Sequence, residues 1–294
     1  MKITKYKVRP EFKKYALGFT PMNPLILRFI NFCMPFVQRS NLYKDELEVK
    51  TIHFPDFRAE IIRPKGEKDL PCFVYHHGGG FVLEASKPHK DLAREYAYKC
   101  NMAVLFVDYR LAPDHKYPEP VEDCYRAYLW ALKFFKDQKI YIGGDSAGAN
   151  LALAVTRKAI EEKKRIPDKM LLVYPVTDSR MITDSMKMYT DTPIWNAKLN
   201  RKMWGLYVRE KDLHHRFVSP AETHDYSFFP KCYIETAEFD CLRDEGIALA
   251  EQMKQQGIPV ELYNTKGTIH GYDVELKSSY IKMLIRKRIE FLKN

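Results

Sequence analysis

The feature that most constrains this chain is a short segment near its middle, residues 139–152, with the sequence KIYIGGDSAGANLA. An aromatic and β-branched run ends there in small residues and continues directly into a helical pattern. A Gly-x-Ser-x-Gly sequence at such a junction is typical of a strained strand-to-helix turn that exposes the serine hydroxyl. The flanking glycines let neighbouring backbone approach closely, and the helix amino terminus favours developing negative charge. The segment therefore predicts that Ser146 is a nucleophile rather than a helix-capping residue.

A second glycine-rich segment, HHGGGF at residues 76–81, begins at the end of the apolar run CFVYH. Three successive glycines allow backbone N–H groups to point into a cavity and to bind the tetrahedral oxyanion of acyl transfer. The amide of Ala147, directly after the candidate nucleophile, is the expected partner donor. A phosphate-binding loop is the competing interpretation, but the sequence has neither GxxxxGK[ST] nor a GxGxxG that opens a helix after this strand.

The general base for Ser146 should be a histidine that follows it, because chain order in folds with this turn is serine, acid, histidine. Four histidines meet that condition: His214, His215, His224 and His270. His270 is favoured because it follows the last predicted strand in a loop flanked by Gly267 and Gly271. His214 and His215 lie among charged residues, where a surface role is the better interpretation.

The acid should lie between the serine and the histidine, on a loop that follows a strand. The candidates are Glu235, Glu238, Asp240 and Asp244, with Asp178 as an outside competitor. Asp240 is favoured because it comes just beyond a predicted strand, 231–236, and before the next helix. Asp244 is better explained as an acidic residue in the first turn of that helix. Spacing alone leaves this choice open.

Strand and helix patterns alternate through most of the remaining chain. An antiparallel pair is predicted over 48–54 and 57–63, and further strands over 72–76, 103–108, 140–142, 169–174, 231–236 and 260–263. Helices are predicted over 88–100, 120–135, 147–162, 245–256 and 272–292. This order predicts an α/β fold with right-handed crossovers and a mostly parallel, eight-stranded sheet that has helices on both faces.

Two regions depart from this alternation of strands and helices, and they predict a helical cap over the sheet. Residues 1–45 read as helical but irregular, broken by prolines such as Pro35, and residues 177–229 form a long insertion rich in methionine and aromatic residues. A connection of that length inside a compact domain is usually a functional lid or insertion. Part of its methionine and aromatic residues is expected to form the insertion's own core. We therefore expect an N-terminal cap segment over 1–45 and a catalytic domain over 46–294 that carries the cap insertion at 177–229.

Successive motifs resemble the hormone-sensitive-lipase-like esterases of the α/β-hydrolase fold. The matching segments are HHGGGF at 76–81, DYRLAPDHKYPEPVED at 108–123, GDSAGANLA at 144–152, SP at 219–220, ETAEFDCLRDEG at 235–246 and GTIHGY at 267–272. The likeness covers residues 46–294, while residues 1–45 match only as a cap-like helical segment. Cys241 is a departure, since the family usually has proline after the acid.

The resemblance implies a serine carboxylic-ester hydrolase that works through an acyl-enzyme, with Asp240 completing a triad with Ser146 and His270. It implies backbone donors for the oxyanion at Gly79, Gly80 and Ala147, with Gly78 as a further candidate. No metal or cofactor is expected, and the expected partner is a small-molecule ester. Two alternatives stay open: an amidase or deacetylase of small acylated compounds, and a non-catalytic ligand-binding member of the fold.

The net charge of +10 is concentrated in the first 50 residues, which hold ten Lys/Arg against four Asp/Glu. The chain has no dense basic run with interleaved stacking aromatics, so a solvated basic face is expected rather than a nucleic-acid site. Weak attraction to an anionic surface is left open. The apolar run 25–37 contains Arg28 and Pro35 and is too short to span a bilayer, so it is expected to be an amphipathic segment that lies over something apolar.

The six cysteines form no CxxC pair and no cluster with zinc spacing, which favours a reducing, cytoplasmic location. No secretory signal and no stable membrane insertion are expected, and a homodimer is left open. A bulky aromatic cap without an obvious lipid anchor predicts a preference for short-to-medium acyl chains over long lipids.

Overall fold

The fold is built around one eight-stranded sheet. The computed structural model describes residues 5–16, 18 and 20–294. The strands are β1 (Leu47–His53), β2 (Arg58–Pro64), β3 (Cys72–His76), β4 (Ala103–Asp108), β5 (Ile140–Asp145), β6 (Lys169–Val173), β7 (Lys231–Phe239) and β8 (Val260–Ile269). Their spatial order is β1-β2-β4-β3-β5-β6-β7-β8, and β2 runs antiparallel to both of its neighbours while the other pairs are parallel. The predicted α/β fold with a mostly parallel eight-stranded sheet is therefore confirmed.

Helices connect the strands and cover the sheet. They are α1 (Pro24–Val37), α2 (Lys87–Cys100), α3 (Glu119–Phe134), α4 (Ala147–Glu161), α5 (Asp184–Met188), α6 (Ala197–Tyr207), α7 (Arg243–Gln255) and α8 (Ser279–Lys293). Strands β3, β5 and β6 are buried at every position, so both faces of the sheet centre are covered. Helix α2 packs against α8, and α3 packs against α4.

Several strands are longer than their sequence pattern indicates. β3 and β4 begin and end where the pattern predicts, but β5 continues to Asp145 although the predicted strand ends at 142. The two additional glycines, Gly143 and Gly144, pair with β3 and β6 on either side. Glycine has low strand propensity on its own, so the pairing that the sheet imposes, rather than local sequence, extends the strand.

The last helix and the first helix both differ from their predictions. α8 begins at Ser279 rather than at 272, because Tyr272 and its neighbour Asp273 form a single buried 3-10 turn and Ser278 caps the helix. In the N-terminal segment, α1 runs through Pro35 instead of breaking there. Pro35 lies in the last turn, where it removes one internal hydrogen bond and leaves the preceding turns intact.

A buried ion cluster fixes α8 to the sheet near the carboxyl ends of the parallel strands. The fully buried Arg288 donates to Glu235 on β7 (Nη2 to Oε1, 2.6 Å) and to Asp273 (Nη1 to Oδ2, 3.0 Å). The Tyr272 hydroxyl donates to the same Glu235 carboxylate. Because one guanidinium satisfies two buried carboxylates, removing it leaves uncompensated charge in the core.

We therefore expect Arg288→Ala to lower the free energy of unfolding by about 3–5 kcal/mol, the cost of breaking one partner of a buried pair. Urea denaturation at neutral pH measures the loss. The matched control is Arg286→Ala, two residues earlier on the exposed face of α8, which should change stability by about 0.5 kcal/mol or less. Equal stabilities for the two variants would contradict the role assigned to the cluster.

Candidate active site

Ser146 occupies a strained turn between β5 and α4. Its backbone has φ 55° and ψ −118°, outside the regions that a non-glycine residue normally adopts, at a cost of about 1–3 kcal/mol. A Cβ at either Gly144 or Gly148 would overlap the carbonyl oxygen of His76. The two glycines are therefore required because β3 runs directly against the turn. The prediction that residues 139–152 form a strand, a sharp turn and a helix is confirmed.

The side chains of Ser146, His270 and Asp240 form one hydrogen-bonded chain. Ser146 Oγ lies 2.9 Å from His270 Nε2, and His270 Nδ1 lies 2.7 Å from Asp240 Oδ2. All three are buried, with 3% of Ser146 and 5% of His270 exposed. With the imidazole Nδ1–H donating to the carboxylate, Nε2 is left as the acceptor that faces the serine hydroxyl.

Adjacent strands position the two partners of the serine. Asp240 directly follows β7, and its Oδ1 accepts a hydrogen bond from the Leu242 amide (3.0 Å), which orients the carboxylate. His270 directly follows β8, and its ring packs against Tyr174 at 4.6 Å between centroids. β7 and β8 are parallel neighbours, so their carboxyl ends bring residues 240 and 270 to the same sheet edge.

The glycine loop after β3 supplies unpaired backbone donors. Within the described residues, the N–H groups of Gly79, Gly80 and Ala147 have no protein acceptor. Gly79 and Gly80 have positive φ values of 119° and 62°, a conformation that favours glycine. The Gly78 amide differs, since it donates to Asp145 Oδ1 (3.1 Å) and is therefore already satisfied.

The two histidines that precede these glycines are fully buried. Burial lowers the pKa of His76 to about 3 and that of His77 to about 4, so both imidazoles are neutral at physiological pH. His77 Nδ1 lies 2.7 Å from the Gly78 carbonyl oxygen, to which a neutral ring can donate. The His77 ring also stacks on Tyr109 at 4.5 Å. These contacts fix the beginning of the glycine loop.

The competing acids have other partners. Glu235 pairs with Arg288, and Glu238 accepts a hydrogen bond from the Gly267 amide (2.7 Å). Asp244 lies in the first turn of α7, where it accepts from the Ser185 amide (2.7 Å) and contacts Arg243. Asp178 forms an ion pair with Arg180. Their carboxylates are therefore engaged in structural contacts away from His270.

The other histidines that follow the serine also lie in different surroundings. His214 is exposed and contacts Glu222, His215 contacts the Tyr117 hydroxyl, and His224 is exposed. The structure thus brings together Ser146 and His270 and leaves the three alternatives apart from them.

Two features of the site were not anticipated from the sequence. Trp195 and Met203, from the 177–229 insertion, lie directly over Gly80, where an added Cβ would come within 2.7 Å and 3.2 Å of them. The Trp195 ring also lies 5.9 Å from the His270 ring, at an interplanar angle of 33°. The aromatic content of the insertion was a signal for a lid, but which side chain reaches the site depends on tertiary packing.

The second such feature is Asp145, the residue before the serine. Its carboxylate accepts hydrogen bonds from the Tyr75 hydroxyl (2.6 Å) and the Gly78 amide (3.1 Å), and lies 3.1 Å from His89 Nε2. Burial opposes ionisation, but contacts with His89 and Tyr75 outweigh it and lower the pKa of Asp145 to about 2. An ionised carboxylate therefore ties the glycine loop to the serine turn.

The low pKa has a consequence for stability. The ordinary pKa of 3.8 applies to the unfolded chain, so the ionised Asp145 stabilises the fold above that pH, and the contribution is lost as the pH falls through 2. We expect Asp145→Asn to lower the free energy of unfolding by about 2 kcal/mol at pH 7 and by much less near pH 2. Urea titrations across this range, with the exposed Asp137→Asn as control, measure it. A deficit independent of pH would contradict the assignment.

Comparison with known proteins places this geometry in a family. A family model described as alpha/beta hydrolase fold matches residues 73–274. Carboxylesterase NlhH of Mycobacterium tuberculosis is 34% identical over 239 residues, which cover 77% of this chain and 75% of that protein. Esterase LipI of the same organism is 32% identical over 213 residues, covering 70% of this chain and 67% of that protein.

Solved structures agree with the sequence comparison. Bacterial heroin esterase superposes with a TM-score of 0.89 at 26% identity, covering 98% of this chain and 97% of that one. A thermostable esterase from Pseudomonas putida gives 0.84 at 27% identity, covering 97% of each chain. Among the sequence relatives, hormone-sensitive lipase of Bos taurus is 31% identical over 167 residues, which are 55% of this chain and 22% of that protein. The chain therefore belongs to the hormone-sensitive-lipase-like esterases of the α/β-hydrolase fold.

Proposed function

We propose that the protein hydrolyses carboxylic esters of short-to-medium acyl chains through a covalent acyl-enzyme on Ser146. The observation that carries this proposal is the hydrogen-bonded chain from Ser146 Oγ through His270 to Asp240, with spacings of 2.9 Å and 2.7 Å. These are the distances that a nucleophile, its general base and the group that orients the base require. Membership of an esterase family supports ester hydrolysis as the reaction.

In the first half of the reaction, His270 Nε2 accepts the proton of Ser146 as Oγ attacks the ester carbonyl carbon. Asp240 holds the ring in the required tautomer and stabilises the imidazolium that forms. The C–O bond to the alcohol then breaks, and His270 returns the proton to the leaving oxygen. In the second half, water attacks the acyl-enzyme with His270 again as base, which releases the acid and restores Ser146.

The negative charge of the tetrahedral intermediates needs donors that are already in place. The free N–H groups of Gly79, Gly80 and Ala147 are suited to this role, because they are not committed to other acceptors in the described chain. Gly78 is excluded from our proposal, since its amide is held by Asp145. Ala147 is also the first residue of α4, where the helix dipole favours negative charge.

We assign the cap to two regions, the N-terminal segment 1–45, of which residues 1–4, 17 and 19 lie outside the described chain, and the insertion 177–229. Support comes from Trp195 and Met203, which cover the glycine loop, and from α1, whose Asn31 bonds to the Val82 carbonyl (2.8 Å) just beyond that loop. Ser146 is only 3% exposed, and the Trp195 ring lies 5.9 Å from the His270 ring. This enclosure supports the short-to-medium acyl preference.

We also assign the protein to a reducing, cytoplasmic compartment. The support is that all six cysteines are free thiols and that five of them are buried. Burial raises the pKa of several of these thiols, for example that of Cys100 to about 12, so they are unreactive at neutral pH.

Removal of the nucleophile or the base tests the proposed mechanism. We expect Ser146→Ala or His270→Ala to lower kcat for a nitrophenyl ester by about 10⁴-fold or more, and the double variant to be no worse than either alone, because the residues act as a unit. Asp240→Asn should lower kcat by about 10⁴-fold, because the asparagine amide favours the wrong tautomer of His270. Steady-state kinetics measure all four variants.

Two controls accompany this experiment. His214→Ala alters an exposed histidine that follows Ser146 and should leave kcat unchanged. A pre-steady-state burst of nitrophenol should be present in the native enzyme and absent in Ser146→Ala. Ser146→Ala with most of the native activity would refute the proposal, and faster cleavage of the matching anilides than of the esters would favour the amidase alternative.

The acyl preference is tested at Trp195. A series of nitrophenyl esters should show kcat/KM falling from short to long acyl chains, and Trp195→Ala should raise the ratio of octanoate to acetate about three- to tenfold, because the ring no longer limits the space. Trp130→Ala, which removes an indole from α3 outside the cap, should leave the ratio unchanged. If the native enzyme hydrolysed long-chain triglyceride as fast as short-chain esters, the proposed acyl preference would be contradicted.

A further inference from the structure

Helix α1 exposes a continuous apolar face. The sequence predicts an amphipathic segment over 25–37 that lies over something apolar, and among its large side chains only Leu27 is fully buried in the protein itself. Phe29, Phe32 and Phe36 are 69%, 72% and 71% exposed. Further exposed members of this face are Leu25, Ile26 and Val37. Their spacing of three and four residues places them along one side of the helix.

The apolar face is held in a fixed orientation. On the opposite side of α1, Leu27 is buried and Asn31 makes two hydrogen bonds to the segment after the glycine loop. Asn31 Nδ2 donates to the Val82 carbonyl (2.8 Å), and the Glu84 amide donates to Asn31 Oδ1 (3.0 Å). The protein therefore presents these phenylalanines outward on a helix that is anchored beside the candidate active site.

Basic residues flank this face at both ends. α1 itself contains no acidic residue, and its one charged residue, Arg28, pairs with Asp114 at its edge. Lys202 on α6 lines the same surface depression as Ile26, and Arg39 lies two residues beyond Val37. Within the described chain, neither Lys202 nor Arg39 has a carboxylate within ion-pair distance, so both charges are available to an anionic partner.

We infer that α1 is a docking element for the surface of an anionic lipid bilayer. Exposed phenylalanine, leucine and isoleucine on one side, with cations beside them, are the features of a helix that lies in the plane of a membrane interface. At 14 residues α1 is about 21 Å long, which is shorter than the ~30 Å hydrocarbon core. No helix of the described residues has the length and apolarity to cross a membrane, so α1 adsorbs to the surface and does not insert through it.

Charge favours a lipid surface over a second copy of the chain as the occupant. A symmetric dimer through α1 would bring two identical sets of basic residues together, in a protein whose net charge is +10. An anionic bilayer instead neutralises those charges while it takes up the phenylalanine side chains. Docking also places the cap side of the enzyme at the interface, where apolar esters partition. The binding surface itself does not depend on the proposed esterase activity.

Binding of the full-length protein to vesicles tests this inference. We use extruded vesicles of phosphatidylcholine with 30% phosphatidylglycerol, and of phosphatidylcholine alone, in a sedimentation assay at 0.1 M and 0.5 M NaCl. We expect stronger binding to the anionic vesicles, and weaker binding at high salt because the Debye length shortens from about 10 Å to below 5 Å. Phe29→Ser/Phe32→Ser should weaken binding about tenfold or more, since two exposed rings no longer enter the interface.

A charge variant provides a second, independent measurement. Arg39→Gln/Lys202→Gln retains the apolar face and should lose several-fold in affinity for anionic vesicles, with less dependence on salt. The matched controls are Phe228→Ser and Lys136→Gln, which alter an exposed phenylalanine and an exposed lysine. These residues precede β7 and β5 and therefore lie at the amino ends of the strands, opposite the candidate active site. Phe228→Ser and Lys136→Gln should both bind anionic vesicles as strongly as the native protein does.

Activity on a water-soluble acetate ester reports on folding, because none of these side chains belongs to the candidate active site. It should be unchanged in all four variants. Native protein that fails to bind anionic vesicles, or a Phe29→Ser/Phe32→Ser variant that binds as well as the native chain, would overturn the inference. A native dimer that Phe29→Ser/Phe32→Ser converts to monomer in sedimentation velocity would also overturn it, in favour of a second copy as the occupant.

Discussion

The close approach of β3 to the turn at Ser146 organises the candidate active site. The His76 carbonyl lies where a Cβ on either flanking glycine would sit, so the turn can form only with glycine at 144 and 148. The same approach places the glycine loop beside the serine, because that loop continues from β3. A single packing requirement thus brings the hydroxyl and the unpaired backbone amides to one sheet edge, and the strained φ of Ser146 is tolerated because the surrounding sheet enforces it.

Buried charge stabilises the two sides of this arrangement. On one side, Asp145 connects the glycine loop with the strand that carries the serine, and its contacts keep it ionised. On the other, Arg288 compensates Glu235 and Asp273 behind the loop that carries His270. Such clusters contribute little net stability compared with apolar packing, but each is costly to break singly. They hold the loops of the candidate active site in the geometry that the proposed general-base catalysis requires.

The two regions that we assign to the cap combine enclosure with exposure. On the inner side, Trp195 lies beside His270 and over the glycine loop. The outer side, on α1, leaves phenylalanine side chains in solvent. Enclosure supports the preference for small acyl groups that we propose, and the outer face is the surface that we infer to dock on lipid. Asn31 connects the two sides, since it joins α1 to the segment that follows the glycine loop.

Elements whose signals are local could be predicted from the sequence alone. The serine turn, the glycine loop and the alternation of strands and helices were all predicted, and His270 was selected by chain order and its flanking glycines. Asp240 was favoured among several carboxylates by its place just beyond a strand, and family likeness strengthened that choice. Tertiary structure decided the rest: the extension of β5 through glycines, the late start of α8, and the outward face of α1. Those features depend on which surfaces meet in the folded chain. A hydrophobic pattern indicates that a side chain prefers an apolar neighbour, but it does not indicate whether the fold provides one.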